Sequence, residues 1–488
     1  MSVGEFTSSN IAASMDVDKD EGPGADSKEC KELQAQISKQ KQLAKEGRRT
    51  EAVEALLNLE KQHRLAENVT LTKACCLAVL DVLFEAQQWK DLNEHILLLA
   101  KRRSQLKQAV QAFVKQAVSY VDKAPDRETT VELIKTLQAV TEGKMYVEIE
   151  RARLTRQLAR IQEGEGKVAE AADTLQEIAV ETFGAMAKTE KIDFILEQVR
   201  LCLERKDYVR AQILSRKVSP RAFVEQPGKK GQATGEVGIE GTAIEAPIEG
   251  TPTLEQLKLK YYELVTAYHA HQDDYLEMCR CYRAIYETPS IAEDPQKKAA
   301  VLRKICWYSV LAAASSDQAT LLNTTAADKL LDDLPAYKEL CKSFITQEVI
   351  WWKVFSEKYA QEIAGEEGVF GGDKGPKVQG ELRARVTEHN ILVVSKYYSR
   401  LKLERLGQLL DLPADETERQ LSEMVVKTGL TARIDRPAGV VRFAAPKTPE
   451  TVLNTWSRSI GKLLEVVDRT CQQIQKESMI HKIPIGAR

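Results

Sequence analysis

The sequence has few of the features that mark membrane proteins, nucleotide hydrolases or zinc and redox proteins. Aromatic residues make up 6% of its 488 residues, and no apolar run approaches the ~18 residues that cross a bilayer. The phosphate-loop pattern GxxxxGKS or GxxxxGKT and the CxxC pair are both missing. The first residues show no basic segment followed by an apolar one. We therefore expect no secretory signal, a location in the cytoplasm and nucleus, and nine reduced cysteines buried in helices.

Charge of one sign is not in excess either. The chain has 70 basic and 72 acidic side chains, which leaves no overall field to draw it to nucleic acid or to an anionic membrane. The nearest approach to a metal signature is His269-x-His271, followed by Asp273 and Asp274. These histidines fall in a helical pattern, where residues two apart point to different faces. We therefore expect neither a metal site nor a cofactor.

What the sequence does contain is a repeat with a period of about 40 residues. Each copy has a polar or glycine turn, then an anchor residue, then an apolar or small residue three positions later. The anchors are Thr50, Trp89, Val168, Tyr208 and Tyr275, with a weaker copy at Thr129, and the partners are Val53, Leu92, Ala171, Ala211 and Met278. Such helix–turn–helix units stack into a solenoid, because one pair cannot cover its own apolar face. The alternative is a set of unrelated amphipathic helices.

The pattern along the chain predicts a mainly α fold in which a TPR-like helical-repeat solenoid precedes a winged-helix module and a long C-terminal helix. The predicted segments are a disordered acidic N-terminus at 1–30, the solenoid at 31–363 with a flexible loop at 225–252, a Gly-rich linker at 364–381, the winged helix at 382–446 and the C-terminal helix at 447–488. The loop and the linker are predicted from their glycines and their few aromatic residues.

The winged helix is predicted from RIDRPAGVVRF at 433–443, which is typical of two short strands joined by a Pro/Gly turn, after three helical segments. A DNA-binding winged helix places its third helix in the major groove with basic side chains. The third helix here has four acidic side chains against two basic ones: Asp415, Glu416, Glu418 and Glu423 against Arg419 and Lys427. Because this surface repels phosphates, we expect no nucleic-acid binding. We expect instead that the edge of the small sheet pairs with another subunit, with Ile434 and Val440 as candidate contact residues.

The C-terminal segment opens with a helix-start pattern, with Thr448 as N-cap and Pro449 at the first helical position. Apolar residues then recur at spacings of three and four, and they are the remaining candidate partner-binding residues: Leu453, Trp456, Ile460, Leu463, Val467 and Ile474. A heptad seam of this length predicts partner helices. The alternative is a helix that folds back on its own solenoid.

Longer stretches make the chain similar to a known family. They include GKMYVEIERARLT (143–155), VLRKICWYSVLA (301–312), EHNILVVSKYYSRL (388–401) and LSEMVVKTGLTARIDRPAGVVRF (421–443). In these stretches the chain resembles the PCI subunits of the proteasome regulatory-particle lid, in particular the non-ATPase regulatory subunit 12 family, over about residues 45–480. The resemblance implies a scaffold without catalytic residues in a complex that degrades ubiquitylated proteins. Its partners would be other PCI and deubiquitinase-type lid subunits, with the ATPase ring or the core particle as further neighbours.

Other functions stay open at this point. A paralogous PCI subunit of the signalosome or of the translation-initiation scaffold would have the same architecture in a different complex. A nucleic-acid-binding winged-helix protein is a second class, which the acidic third helix disfavours. An enzyme is a third class, disfavoured by six scattered histidines and the lack of a nucleophile elbow.

Overall fold

The computed structural model describes residues 28–223, 246–247, 250–372, 374–443 and 448–482. Most of the predicted N-terminal segment 1–30 and of the predicted flexible loop 225–252 therefore lies outside the described residues. The chain divides into two compact units, Met1–Tyr268 and His269–Arg488. The solenoid predicted over 31–363 is thus divided between two units, and the boundary lies inside a helix.

The first unit consists of antiparallel helix pairs. Its helices are α1 Lys28–Lys45, α2 Arg49–Leu65, α3 Val69–Glu85, α4 Trp89–Lys101, α5 Lys107–Val121, α6 Arg127–Thr141, α7 Glu148–Gly164, α8 Val168–Gln176, α9 Lys188–Glu204, α10 Tyr208–Lys217 and the first part of α11 Leu254–Gln272. Short 3-10 turns lie at Met145–Val147, Val180–Thr182 and Pro220–Phe223.

The predicted repeat turns end the first helix of each pair with one residue of positive φ. Gly47 and Gly166 hold this position after α1 and α7, with φ of 98° and 79°, whereas Gln87 and Lys206 hold it after α3 and α9. The next amide then donates to a carbonyl five residues earlier, as Asp207 N–H does to Cys202 at 2.8 Å. The second helices begin at or next to the predicted anchors, and their partner residues Val53, Leu92, Ala171 and Ala211 are buried.

Ion pairs connect the first helices of successive pairs. Arg153 on α7 makes a bidentate pair with Glu190 on α9 at 2.9 and 3.0 Å. Arg200 on α9 reaches back to Glu163 on α7 at 2.6 and 2.8 Å, and these hydrogen bonds lower the pKa of Glu163. Lys260 on α11 pairs with Glu197 on α9 at 2.5 Å. Glu190 is buried and needs a cation beside it, so its pair with Arg153 in particular fixes how α7 and α9 align.

The second unit contains further helices and one small sheet. Its elements are the end of α11, then α12 Tyr275–Tyr286, α13 Pro289–Ala292, α14 Pro295–Leu311, α15 Ser316–Ala326, α16 Pro335–Ile345, α17 Trp352–Lys358, α18 Ala360–Gly365, α19 Glu367–Phe370, α20 Gly375–Tyr397, β1 Arg400–Lys402, α21 Leu403–Leu410, α22 Ala414–Thr428, β2 Arg433–Asp435, β3 Val440–Arg442 and α23 Pro449–His481. A 3-10 turn spans Lys329–Asp333. Among the described residues, no helix is both long and apolar enough to cross a membrane.

The structure differs from the Gly-rich linker that we predicted at 364–381. Most of this segment is helical, and Phe370 packs edge-to-face on the buried Trp307 with ring centroids 4.9 Å apart. Pro376 lies in the first turn of α20, where a proline starts a helix and does not break it. The apolar pair Val369 and Phe370 therefore belongs to the core of the second unit.

The winged helix is built from α20, α21, α22 and a three-stranded antiparallel sheet in the order β1-β3-β2. The buried residues of its core are Ile391, Val394, Leu406, Leu410, Leu421, Met424, Val441 and Phe443. The helix α20 ends at Tyr397, Tyr397 and Tyr398 are both exposed, and β1 follows.

A buried asparagine attaches the segment before α17 to the winged helix. Asn390 on α20 accepts a hydrogen bond from the Ile350 amide and donates one to the Ile350 carbonyl, both at 2.8 Å. Its side chain is 3% exposed. The side-chain amide of Asn390 thus provides hydrogen bonds for the N–H and C=O of Ile350, which lies outside any helix or strand.

Replacing Asn390 with Ala should release this segment. Loss of both bonds leaves the half-buried amide and carbonyl of Ile350 without a partner, and the free energy of local opening should fall by about 1–3 kcal/mol. Hydrogen exchange of the Ile350 amide should become faster, whereas Asn323→Ala, at an exposed position of α15, should not change it. Unchanged exchange over residues 346–352 in Asn390→Ala would contradict this role.

Candidate protein-interaction site

The edge strand β2 offers free backbone groups to a partner strand. Phe443 N–H donates to the Ser399 carbonyl at 3.0 Å and Leu403 N–H to the Gly439 carbonyl at 2.8 Å. In an antiparallel ladder the backbone N–H and C=O groups of successive residues point to opposite neighbouring strands. The backbone groups of Val441 therefore point to β1, and those of Val440 and Arg442 point to β2. Ile434, which lies opposite Val441, therefore directs its N–H and C=O away from β3, toward the open edge.

The two predicted wing contacts have different positions. Val440 lies in the central strand β3, and its side chain is 6% exposed. Val440 is thus buried within the chain itself, and the partner contact that we predicted for its side chain does not fit this burial. Ile434 lies in the edge strand with its side chain partly buried against the winged-helix core. A three-residue strand pattern could not show which of the two strands would be central.

The third helix α22 presents an acidic surface, as predicted. The one arginine of the wing turn, Arg436, donates from Nε to Glu418 on α22 at 2.6 Å. On α22 itself, Glu423 lies within 3.5 Å of both Arg419 and Lys427. The cations of this face are therefore paired with carboxylates of the same face, which leaves little positive potential for phosphates.

The C-terminal helix α23 exposes many large apolar side chains. It begins with the predicted cap, since the Thr448 hydroxyl accepts from the Thr451 amide at 3.3 Å, and none of its residues is buried. All six predicted seam residues are exposed: Leu453 59%, Trp456 65%, Ile460 41%, Leu463 64%, Val467 49% and Ile474 54%. Soluble monomers seldom expose a continuous apolar stripe of this kind.

A cavity of about 420 Å³ lies between α15, the end of α16 and α20. Its polar side chains already have structural bonds. The Ser315 hydroxyl caps α15 by accepting from the Gln318 amide at 3.1 Å, and His389 lies 3.2 Å from the Glu348 carbonyl. Burial lowers the pKa of His389, and Arg385 pairs with Glu388. These bonds stabilise helix ends and the loop after α16.

Within the described residues no group of three or more His, Cys, Asp or Glu side chains is placed to hold a metal ion. Of the two histidines considered above, His269 lies 4.0 Å from Asp274, and burial lowers its pKa. Of the eight cysteines whose side chains are described, seven are buried, and Cys471 on α23 is exposed.

Three family models match consecutive parts of the chain. The PSMD12/CSN4 N-terminal model matches residues 51–232 and 244–294, the PCI domain model matches 360–444, and the model of the 26S proteasome regulatory subunit RPN5 C-terminal domain matches 450–482. The last model thus covers α23. The winged helix and the exposed helix described above are each a recognised part of one family architecture.

Full-length relatives are similar over nearly the whole chain. The chain is 52% identical to the 26S proteasome non-ATPase regulatory subunit 12 homolog A of Arabidopsis thaliana, over 89% of this chain and 98% of the relative. The chain belongs to the 26S proteasome non-ATPase regulatory subunit 12 family. Subunit 12 of Dictyostelium discoideum is 38% identical over 96% of both chains, and regulatory subunit RPN5 of Saccharomyces cerevisiae is 35% identical over 88% and 91%.

Membership in the subunit 12 family confirms the resemblance found in the sequence. The COP9 signalosome complex subunit 4 of Drosophila melanogaster is also similar, at 24% identity over 81% of this chain. This identity is lower than the identities to the proteasome subunits, which places the chain with them.

Removing the wing arginine should leave DNA binding unchanged. Because Arg436 already pairs with Glu418, it is not free to contact a phosphate, so Arg436→Ala should bind a short DNA duplex as weakly as the parent chain. The measurement is fluorescence anisotropy across a salt series, where each lost phosphate contact would change the slope by about 0.9. A reduced slope or a lost, sequence-selective affinity in Arg436→Ala would contradict the interpretation of this face as a protein surface.

Proposed function

We propose that the chain is a non-catalytic scaffold subunit of the proteasome regulatory-particle lid, which supports ATP-dependent degradation of ubiquitylated proteins in the cytoplasm and nucleus. Its partners are other PCI subunits and the deubiquitinase-type subunits of the lid. The observation that carries the proposal is α23, a 33-residue helix whose apolar face is exposed along its length. Relatives named as 26S proteasome regulatory subunits support the choice of complex.

The helix α23 enters a bundle of helices from several subunits. Its seam residues lie within a sector narrower than half the helix circumference, whereas Arg458, Glu465 and Lys476 lie on the opposite side. Each seam side chain contributes ~1.5–3 kcal/mol when it is fully buried. The seam as a whole therefore supplies enough free energy to hold a subunit in a complex.

The winged helix forms the second contact through its open edge. Ile434 points its backbone N–H and C=O outward from β2, and an added strand from another PCI subunit satisfies both. The edge is three residues long, so it fixes the position of the neighbour more than it supplies affinity. The seam and the edge thus have separate roles, one for affinity and one for geometry.

A scaffold role without catalysis agrees with how the polar groups are used. Ser315 and His389 line the same cavity, yet the serine caps a helix and the histidine bonds to a backbone carbonyl. Burial raises the pKa of the thiols Cys75 and Cys76, to about 11 and about 12. Such thiols are poor nucleophiles, because the thiolate is the reactive form.

Removal of α23 should abolish assembly without unfolding the rest. We expect the chain truncated after Phe443 to keep its helical circular dichroism but to fail to enter the lid on native gels with the other subunits. Trp456→Gln with Leu463→Gln should have the same effect, because it makes the centre of the seam polar. The matched control, Arg458→Gln with Glu465→Gln on the opposite side of α23, should assemble normally. Normal incorporation of the truncated chain would refute the bundle contact.

The edge contact can be separated from folding by substitutions at one position. Ile434→Pro removes the outward N–H but keeps an apolar side chain, so it should reduce co-purification with a neighbouring PCI subunit. Ile434→Val keeps the N–H and should bind as the parent chain does. Val440→Asp buries a charge in the central strand and should unfold the winged helix itself, seen as lost helical signal. Equal binding of the Pro and Val variants would exclude pairing at this edge.

A further inference from the structure

A basic surface lies at one end of the first helix pairs. It is formed by the last turns of α2 and α4 and the start of α5, and we call it the basic edge: Lys61, Arg64, Lys101, Arg102, Arg103 and Lys107. Two carboxylates lie in the same segments, Glu60 and Glu67. Positive charge is therefore in clear excess here, although the chain as a whole is close to neutral.

Hydrogen bonds hold the two helix ends together. The fully buried Glu60 accepts from Arg64 at 3.1 Å and also pairs with Arg102 of α4. Arg64 donates in addition to the carbonyl of Arg103. The single negative charge of Glu60 is thus shared by the guanidinium groups of Arg64 and Arg102. It does not neutralise the other cations of the basic edge.

The other cations of the basic edge point to solvent. Lys61, Lys101, Arg103 and Lys107 are exposed, and no ion pair of theirs occurs among the described residues. Two apolar side chains lie beside them, Leu65 at 69% and Leu98 at 43% exposure. Helix C-termini favour cations, but that effect does not explain exposed leucines in the same place. The surface is suited to a segment that is acidic and contains apolar residues.

The chain reaches this place from its own N-terminal side. Leu33 of α1 packs with Leu71 of α3 and Leu59 of α2, so the beginning of α1 lies beside the turn that joins α2 to α3. Residues 1–27 are therefore attached at the end of the unit that carries the basic edge. From Lys28, the eight preceding residues span up to about 27 Å, whereas packed helices are about 8–10 Å apart.

The sequence of that segment is complementary to the basic edge. Residues 1–27 have six acidic side chains and one lysine, and four of the acids form the run DVDKDE at 16–21. Met15 and Val17 stand next to these acids. A short tether gives the segment an effective concentration on the order of millimolar at the basic edge, which a separate acidic protein would have to match.

We propose that the acidic segment 16–21 binds in cis to the basic edge, with its carboxylates on Lys61, Lys101, Arg103 and Lys107 and its apolar residues against Leu65 and Leu98. The contact is electrostatic and exposed, so it is reversible and weakens with salt. The segment thereby covers a surface that would otherwise attract acidic proteins, and a more acidic partner displaces it.

Zero-length carbodiimide cross-linking of the full chain tests this contact, because it joins a carboxylate to an amine only when they touch. An equal mixture of ¹⁵N-labelled and unlabelled chain distinguishes links within one chain from links between chains. We expect intrachain links from Asp16, Asp18, Asp20 or Glu21 to the lysines of the basic edge. Lys90 and Lys135, exposed lysines elsewhere on α4 and α6, serve as internal controls with few links. Raising the salt to about 1 M shortens the Debye length to ~3 Å and should remove the preference.

Charge reversal at Arg103 sharpens the test, since it leaves every reactive lysine in place. Arg103→Glu should lower the yield of these links about threefold to tenfold, as expected for reversing one charge at contact distance in water. Arg103→Lys should retain the yield, and so should Arg160→Glu, a reversal at an exposed position of α7. Circular dichroism checks that all three variants are folded. Equal links to Lys90 and the basic-edge lysines, links only between chains, or an unchanged yield in Arg103→Glu would each overturn the proposal.

Discussion

Buried carboxylates constrain how the helices of the first unit can stack. Glu60, Glu150, Glu190 and Asp193 are each less than 4% exposed, and each meets a cation from a neighbouring helix: Arg102, Lys115, Arg153 and Arg156. Removing Arg153, for example, would leave Glu190 as an unpaired buried charge, which costs about 3–5 kcal/mol. Apolar packing alone would tolerate a shift of one helix along another, whereas these pairs form in only one register. The surfaces at the helix ends, including the basic edge, depend on that register.

The second unit also pairs polar groups locally, but it leaves two surfaces without a partner among the described residues. Asn390 supplies the bonds that the Ile350 backbone lacks, and Glu418 neutralises the wing arginine. The outward edge of β2 and the apolar face of α23 have no such partner within the described residues. A polar backbone edge and an apolar helix face call for different kinds of neighbour, a strand and a set of helices. A winged helix of this kind is suited to assembly contacts, and the acidic α22 gives it little of the positive charge that DNA binding needs.

Much of the fold could be predicted from the sequence, because the signals are local. The repeat turns are visible in the sequence as Gly47 and Gly166, which adopt positive φ in the structure. Apolar or small residues such as Ala171 then follow three positions after the repeat anchors. The strand β1 was missed, because three residues are too few to show the two-residue alternation of a strand. Only its pairing with β3 makes this segment a strand. The helical start at Gly375 was missed because glycine and proline also mark linkers. The burial of Val440 depends on strand order, and strand order is a property of the folded sheet.

The near-neutral composition of the whole chain does not show how its charges are distributed over the surface. The acids and bases of this chain total 72 and 70, yet α22 is acidic, the basic edge is positive and the first 27 residues are acidic. Because the Debye length is ~8 Å in physiological salt, the electrostatic field of each surface acts on a partner separately. A contact surface on a scaffold thus selects its neighbours by local sign. The same physics makes the acidic α22 unfavourable for phosphates and the basic edge favourable for carboxylates, although the formal net charge of the whole chain is only −2.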